Sequence, residues 1–270
     1  MQSRRSIVVT LGRVDGLLDL IHREIPREVE STGNFEDWAV MAPALIAVGA
    51  DLFEAIMALP PPRGRLRAEI LARSLAEYAI TFAWLSAPAR DEERGKRRKR
   101  LVKAEFLERE KAENKLKYQL GGQPAYEHLF RGDRLGAVPR ELMADVTRER
   151  LNQLKGESGL SPLPNSFDMA FDADKRWMPE VDVIGHNPFA MIYFVLFTGP
   201  SFMTHPSVSS IARMVTGSPP RLIVGVPERL SDSEMPYGQA LLTLANMLFV
   251  ASRSLGWPDE NELRAVLDNG

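Results

Sequence analysis

The chain has 270 residues, 44% of them hydrophobic and 26% charged, with a formal net charge of −2. That length can bury a sizeable core, and the composition is that of ordinary globular protein. Wholesale disorder and collagen-like repeats are excluded, and the net charge by itself points to no polyanionic partner. The chain contains no cysteine, which excludes disulfides, thiolate catalysis, iron–sulfur clusters and cysteine-bound zinc; a cytoplasmic location is expected.

In chain order the pattern is helical almost throughout. The opening MQSRRSIVVTLGRVD is similar to a twin-arginine export signal, but Arg13 and Asp15 interrupt its apolar region, so no export is expected. Val14, Leu17, Leu18, Ile21 and Ile25 fall on one helical face and predict a helix over 14–29. Asn34 and Asp37 resemble a capping arrangement for an apolar helix that runs to Leu59 and stops at Pro60, Pro61 and Pro62, with Pro43 early enough in it to cost little. A third helix is predicted over 65–86, ended by Pro88. The fourth, over 91–120, is the most charged part of the chain and ends at Gly121 and Gly122. A loop over 121–138 and a helix opening at Pro139 follow, and GLSPLPNS then breaks the chain.

Residues 165–188 read as irregular, followed by an apolar helix near 188–199, a second from about His205 and a loop through TGSPP. RLIVGV, 221–226, reads as a short strand without an evident partner. A strong helix spans 234–255, stopped by Gly256 and Pro258, and DENELRAVL makes a small terminal one. The predicted fold is all-α, an irregular multi-helix bundle with at most one short strand, in a single domain 1–270 with a candidate sub-boundary near 156–166. Segments 70–87 and 189–204 approach membrane-spanning length, but Arg73 and Glu77 in the first and Gly199-Pro200 in the second favour core helices, and no membrane partner is expected.

Arg73 and Glu77 are the only charges between Ile70 and Leu85 and, four residues apart, are neighbours on the helix. They read either as a structural ion pair or as a polar pocket in which Arg73 meets an anion and Glu77 orients it. In FVLFTGPSFMTHPSVSS, 194–210, Pro206 suits a first helical turn, which sets His205 beside the positive end of a helix dipole and favours its neutral form. Ser201, Thr204, Ser207 and Ser209 supply hydroxyls nearby, and a helix start of this kind can bind an anion. The alternative for His205 is a plain helix cap.

An Arg-x-x-x-Glu helix (Arg73, Glu77), a long charged helix, Trp177, and a late series Tyr193, Phe197, Ser201, His205 and Ser207 together resemble a helical bacterial family of unknown function over about residues 60–255. The resemblance implies that Arg73, Glu77 and His205 converge, and brings no established activity. More distantly the chain is similar to HEPN-type helical ribonucleases, which place an arginine shortly before a histidine. Here Thr198, Gly199 and Pro200 stand in that region, so Arg73 would have to serve from another helix.

Arg94, Lys96, Arg97, Arg98, Lys99 and Arg100 form a basic run in a stretch, 90–117, holding 12 basic and 7 acidic residues, a net of 12 − 7 = +5. The run could contact the phosphates of a nucleic acid, whereas its interleaved acids and scarce aromatics favour a solvated helix face. His22, His128, His186 and His205 have no metal-binding spacing, and no phosphate loop or dinucleotide motif occurs, so neither metal nor cofactor is expected. Three functions follow: a ligand-binding or protein-interaction domain with a polar pocket at Arg73, Glu77, Tyr193, Ser201, His205 and Ser207; a metal-independent ribonuclease of stress or phage defence; or a helical enzyme on a small molecule. In the enzyme readings His205 is the acid/base, with Arg73 and Glu77 beside it. An oligomer is compatible with each.

Overall fold

A computed structural model describes residues 2–25, 37–60, 64–120, 153, 156, 161–177, 189–198, 215–218, 221–224 and 235–269. Its described elements are eight helices, α1 (Gln2–Glu24), α2 (Trp38–Met57), α3 (Arg65–Ser86), α4 (Asp91–Leu120), α5 (Ser166–Trp177), α6 (Phe189–Thr198), α7 (Met235–Leu255) and α8 (Glu260–Asn269), and a hairpin of β1 (Val215–Ser218) and β2 (Arg221–Val224). The packed architecture is all-α. The chain separates into two compact units, Met1–Pro88 with Pro164–Gly270, and Ala89–Leu163.

The larger unit is organised around α3, against which α2, α5, α6 and α7 pack. Its alanines explain that position: Ala68, Ala72, Ala76, Ala79 and Ala83 are fully buried and let neighbouring helices approach closely, while Leu75, Phe82, Trp84 and Leu85 fill the space between them. A helix buried on nearly every side is a central helix. Truncating one of the large residues to alanine costs about 2–5 kcal/mol. The helix α2 carries Ile46, Phe53 and Ile56 into the same core, and Trp38 stacks on Phe82 with ring centroids 5.6 Å apart. By length and composition alone α2 could cross a membrane (mean hydropathy 1.8), and its apolar character is in part accounted for by packing, since Ala42, Ile46, Ala50, Phe53 and Ile56 are buried.

Several boundaries differ from expectation for identifiable reasons. The first helix begins at Gln2, ahead of Val14, and ends at Glu24; residues 26–29 lie outside the described residues. Asp37, whose side chain accepts from the Ala39 N–H at 3.0 Å, is the N-cap of α2, and Asn34 lies outside the described residues. Pro43 is therefore the sixth residue of α2, beyond the first turn, and cannot donate to the Ala39 carbonyl; its buried ring packs instead.

The stretch read as irregular contains α5. Asn165 accepts from the Asp168 N–H at 2.9 Å and donates through its amide to the Asp168 carboxylate at 2.9 Å, a reciprocal cap built from Asn-Ser-Phe-Asp. Met169, Ala170, Ala173 and Trp177 form its buried face. The expected strand is present as β2, and its partner is β1, which takes in the Thr216, Gly217 and Ser218 of the expected loop, in the register Val215↔Val224 to Ser218↔Arg221. The helices predicted over 139–159 and from His205 lie outside the described residues, apart from helical positions 153 and 156.

At the far end of the chain, Gly256 takes a positive φ of 78° as α7 ends, a conformation costly for any residue with a Cβ. Asp259 then caps α8 by accepting from the Asn261 and Glu262 N–H groups. Glu260 joins the two helices by pairing with Arg253 of α7 at 2.5 Å, and within α8 it also pairs with Arg264, four residues on, at 2.6 Å.

The smaller unit is built on α4. Asp91, Glu92 and Glu93 occupy its first turn, where they complement the helix dipole. Arg100 donates to the backbone carbonyls of Ser161 and Pro162, tying the helix to the chain that follows.

Candidate functional site

The four-residue spacing of Arg73 and Glu77 on α3 brings their side chains together, with the guanidinium Nε 3.6 Å from the carboxylate. Arg73 is only 22% exposed, whereas Glu77 is 46% exposed, so the pair lies at the edge of the core. What covers Arg73 is aromatic: its guanidinium lies 4.7 Å from the centroid of the Phe197 ring. A cation over a ring face is attracted by the ring quadrupole, by about 0.5–2 kcal/mol depending on exposure.

Phe197 comes from α6, which is ten residues long and carries no charge. Such a helix is too short to persist alone. It is held by Asp174 of α5, whose two carboxylate oxygens accept from the Phe189 and Ala190 N–H groups at 2.7 and 2.9 Å. This is an N-cap supplied from another helix. Burial raises the Asp174 carboxyl above its ordinary range, while the two N–H groups pull the other way.

From Phe197 a continuous stack runs outward. Tyr193 stacks on Phe197 at 4.2 Å between centroids, Phe167 of α5 tilts against Tyr193 at 5.5 Å, and Phe171 follows Phe167 at 6.3 Å. The ammonium of Lys175 lies 5.4 Å from the Phe171 ring. Six residues thus form a file with a cation at each end. Phe197 is nearly buried, but Phe167 and Phe171 are 46% and 56% exposed, and on α6 Met191 and Phe194 are 47% and 60% exposed. Large apolar residues clustered at the surface of two adjoining helices mark an interaction surface more readily than scattered ones do.

The floor of the cluster is anchored by Trp177, the last residue of α5, whose indole N–H donates to the Ala83 carbonyl at 3.0 Å in the core. That carbonyl lies in the last turn of α3, where intrahelical donors run out, so the indole satisfies an otherwise costly buried acceptor. Ser86 turns its hydroxyl back to the Phe82 carbonyl at 2.8 Å in the same turn.

Of the residues singled out from the sequence, Arg73, Glu77, Tyr193 and Phe197 come together. Ser201, His205 and Ser207 lie outside the described residues. Sequence reasoning did not single out Asp174, Phe167, Phe171, Lys175 or Phe194, although the Phe-x-x-x-Phe-x-x-x-Lys spacing at 167, 171 and 175 was available as a helical file.

In the basic run, Arg94 pairs with Asp91 and donates to the Ala89 carbonyl, and Lys96 pairs with both Glu92 and Glu93 at 2.9 Å, which hold its ammonium well above the usual range. Arg100 is engaged by the Ser161 and Pro162 carbonyls, and Arg97, Arg98 and Lys99 also have partners.

One open cleft of about 300 Å³ is formed between α1 and α2, with Ile21, Ala47 and Ala50 in its wall and His22, Asp51 and Glu54 around them. His22 Nε2 stands 3.2 Å from Glu54 Oε1. No group of three metal-ligating side chains occurs among the described residues.

Comparison of the chain with family models, with curated proteins and with solved structures gives no match in any of the three. Of the likeness drawn from the sequence, the all-helical fold stands.

Proposed function

We propose that this chain is a non-catalytic helical interaction domain of the cytoplasm, whose working surface is the aromatic face of α5 and α6 beside Arg73 and Glu77. The observation that carries this reading is the file from Arg73 through Phe197, Tyr193, Phe167 and Phe171 to Lys175, buried at one end and exposed at the other. An arrangement of this kind holds exposed rings rigid, which lowers the entropy lost when a partner covers them. Aromatic anchors set on a rigid base are the residues that dominate binding energy at protein interfaces. Arg73 and Glu77 act in this reading by fixing the orientation of α6. The ribonuclease and small-molecule enzyme readings depend on His205, and no described geometry favours either.

The test is native mass spectrometry of the chain as isolated, compared with Phe194→Asp and Arg73→Ala. The expected result is an assembly heavier than one chain that Phe194→Asp abolishes while its thermal unfolding stays close to that of the wild type. A bound small molecule lost in Arg73→Ala would replace this reading with a ligand pocket. A single-chain mass in all three proteins would remove it.

A further inference from the structure

The outer end of the aromatic file has a charge order of its own. On α5, Phe167, Asp168, Phe171 and Lys175 are all exposed, and helical geometry sets them on one face. Asp168 stands three residues before Phe171 and Lys175 four residues after it, so the face is negative toward the start of the helix and positive toward its end.

Such a face is complementary to itself. If a second α5 is laid across the first in the antiparallel sense, with the axis between positions 171 and 172, Asp168 of each meets Lys175 of the other. The two Phe171 rings then meet near the axis, flanked by the two Phe167 rings. This is the self-matching required of a two-fold interface, in which each contact occurs twice. The opposite arrangement, with the two helices parallel, brings like charges together and is disfavoured.

Other occupants fit less well. A polyanion would meet Asp168 on the same face as the exposed rings, and an anionic membrane surface would do the same. The carboxylate of Asp168 already accepts from Asn165, which holds it in place, and a carboxylate can accept several hydrogen bonds at once. Lys175 reaches Asp172 only loosely, at 3.8 Å with 67% of its side chain exposed, so it can turn toward a second copy at little cost.

We infer that α5 is a self-association face, at which a second copy of this chain docks antiparallel about a two-fold axis near Phe171. The inference rests on the reading of the α5–α6 surface as an interaction face and specifies its partner.

Sedimentation equilibrium over a concentration series tests it, using the wild type, Phe171→Asp, Lys175→Glu and the exchange Asp168→Lys with Lys175→Glu. The expected outcome is a monomer–dimer equilibrium in the wild type and a monomer in Phe171→Asp. Lys175→Glu should weaken association about tenfold, because one substitution sets two like-charge contacts across the axis. The exchange variant should recover most of that loss. Since the Asp168 carboxylate also holds the capping side chain of Asn165, circular dichroism of the exchange variant must match the wild type. Should the cap be lost, raising the salt concentration with the wild type reads the same charge pairs, and the dimer should weaken.

A wild-type monomer at every concentration overturns the self-association proposal. If, in addition, native mass spectra hold an unlike chain that Phe171→Asp releases, the interaction reading survives with a different partner; if they hold nothing, both fall. A dimer that Phe171→Asp and Lys175→Glu leave unchanged also overturns the proposal, because it then forms elsewhere.

Discussion

The carboxylate of Asp174 on α5 accepts the Phe189 N–H at 2.7 Å, fifteen residues further along the chain, and so one helix caps the next. With the Ala190 N–H at 2.9 Å, both of the first two donors of α6 are satisfied by a single side chain. Everything that α6 presents, including Phe197 over Arg73, depends on this bond pair for its entry angle.

Asp174→Ala should therefore destabilise the protein by about 1–2 kcal/mol in urea unfolding, with a loss of near-ultraviolet dichroism from Tyr193 and its neighbours. Burial raises the folded-state carboxyl above the unfolded value of 3.8, so the folded protein binds this proton more readily than the unfolded chain. Through the interval between the two values, the contribution of Asp174 to stability must rise as pH falls. The difference in unfolding free energy between the wild type and Asp174→Asn should move in favour of the wild type on going from neutral pH to about 4. A difference that moves the other way would mean that the two N–H groups outweigh burial.

Trp177 separates packing from hydrogen bonding. Trp177→Phe keeps most of the ring but leaves the buried Ala83 carbonyl without the indole donor, at a cost of about 1–3 kcal/mol. Trp177→Ala adds a cavity and should cost about 3–5 kcal/mol. Equal losses in the two variants, measured by denaturant unfolding, would mean that the hydrogen bond contributes nothing.

Arg73 should matter more than Glu77. Arg73→Ala removes both the ion pair and the cation over Phe197, with an expected loss of about 1–2 kcal/mol, whereas Glu77→Gln removes a pair that water already screens and should cost under about 1 kcal/mol. A double-mutant cycle with Phe197→Leu isolates the ring contact. Strict additivity in that cycle would show that Arg73 and Phe197 are neighbours without being coupled.

Two glycines in helices should respond differently to alanine. A Cβ at Gly16 would stand 2.8 Å from Cγ1 of Val266, a stiff β-branched side chain, so Gly16→Ala should destabilise the contact of α1 with α8 by about 1–2 kcal/mol. A Cβ at Gly49 would meet the flexible Met247 thioether at 3.0 Å. There the helix-propensity gain of about 1 kcal/mol offsets the adjustment, and Gly49→Ala should change the thermal midpoint little.

Periodicity and punctuation made α3, α4, α6, α7 and α8 legible: their bounds fall within a residue or two of the apolar and charged runs bracketed by proline and glycine. The helix α5 was not, because its Asp168, Asp172 and Asp174 obscure the apolar face of Met169, Ala170, Ala173 and Trp177, and only the Asn165–Asp168 cap announces it. The strand β1 was obscured because a Thr-Gly-Ser segment carries no apolar alternation; its pairing with β2 supplies what its composition does not.

What the sequence by itself determined is local: helix positions, their ends, and pairs such as Arg73–Glu77 that the helical repeat makes neighbours. Only the tertiary structure decided that Asp174 caps α6, that Trp177 closes α3, and that Phe197 covers Arg73 while Phe171 and Phe194 remain outside. The physical reason is that a helical period says which residues share a face but not which face another helix will cover. That choice is made by side-chain volume and by the partnering of buried polar groups, both of which are properties of the packed assembly of helices.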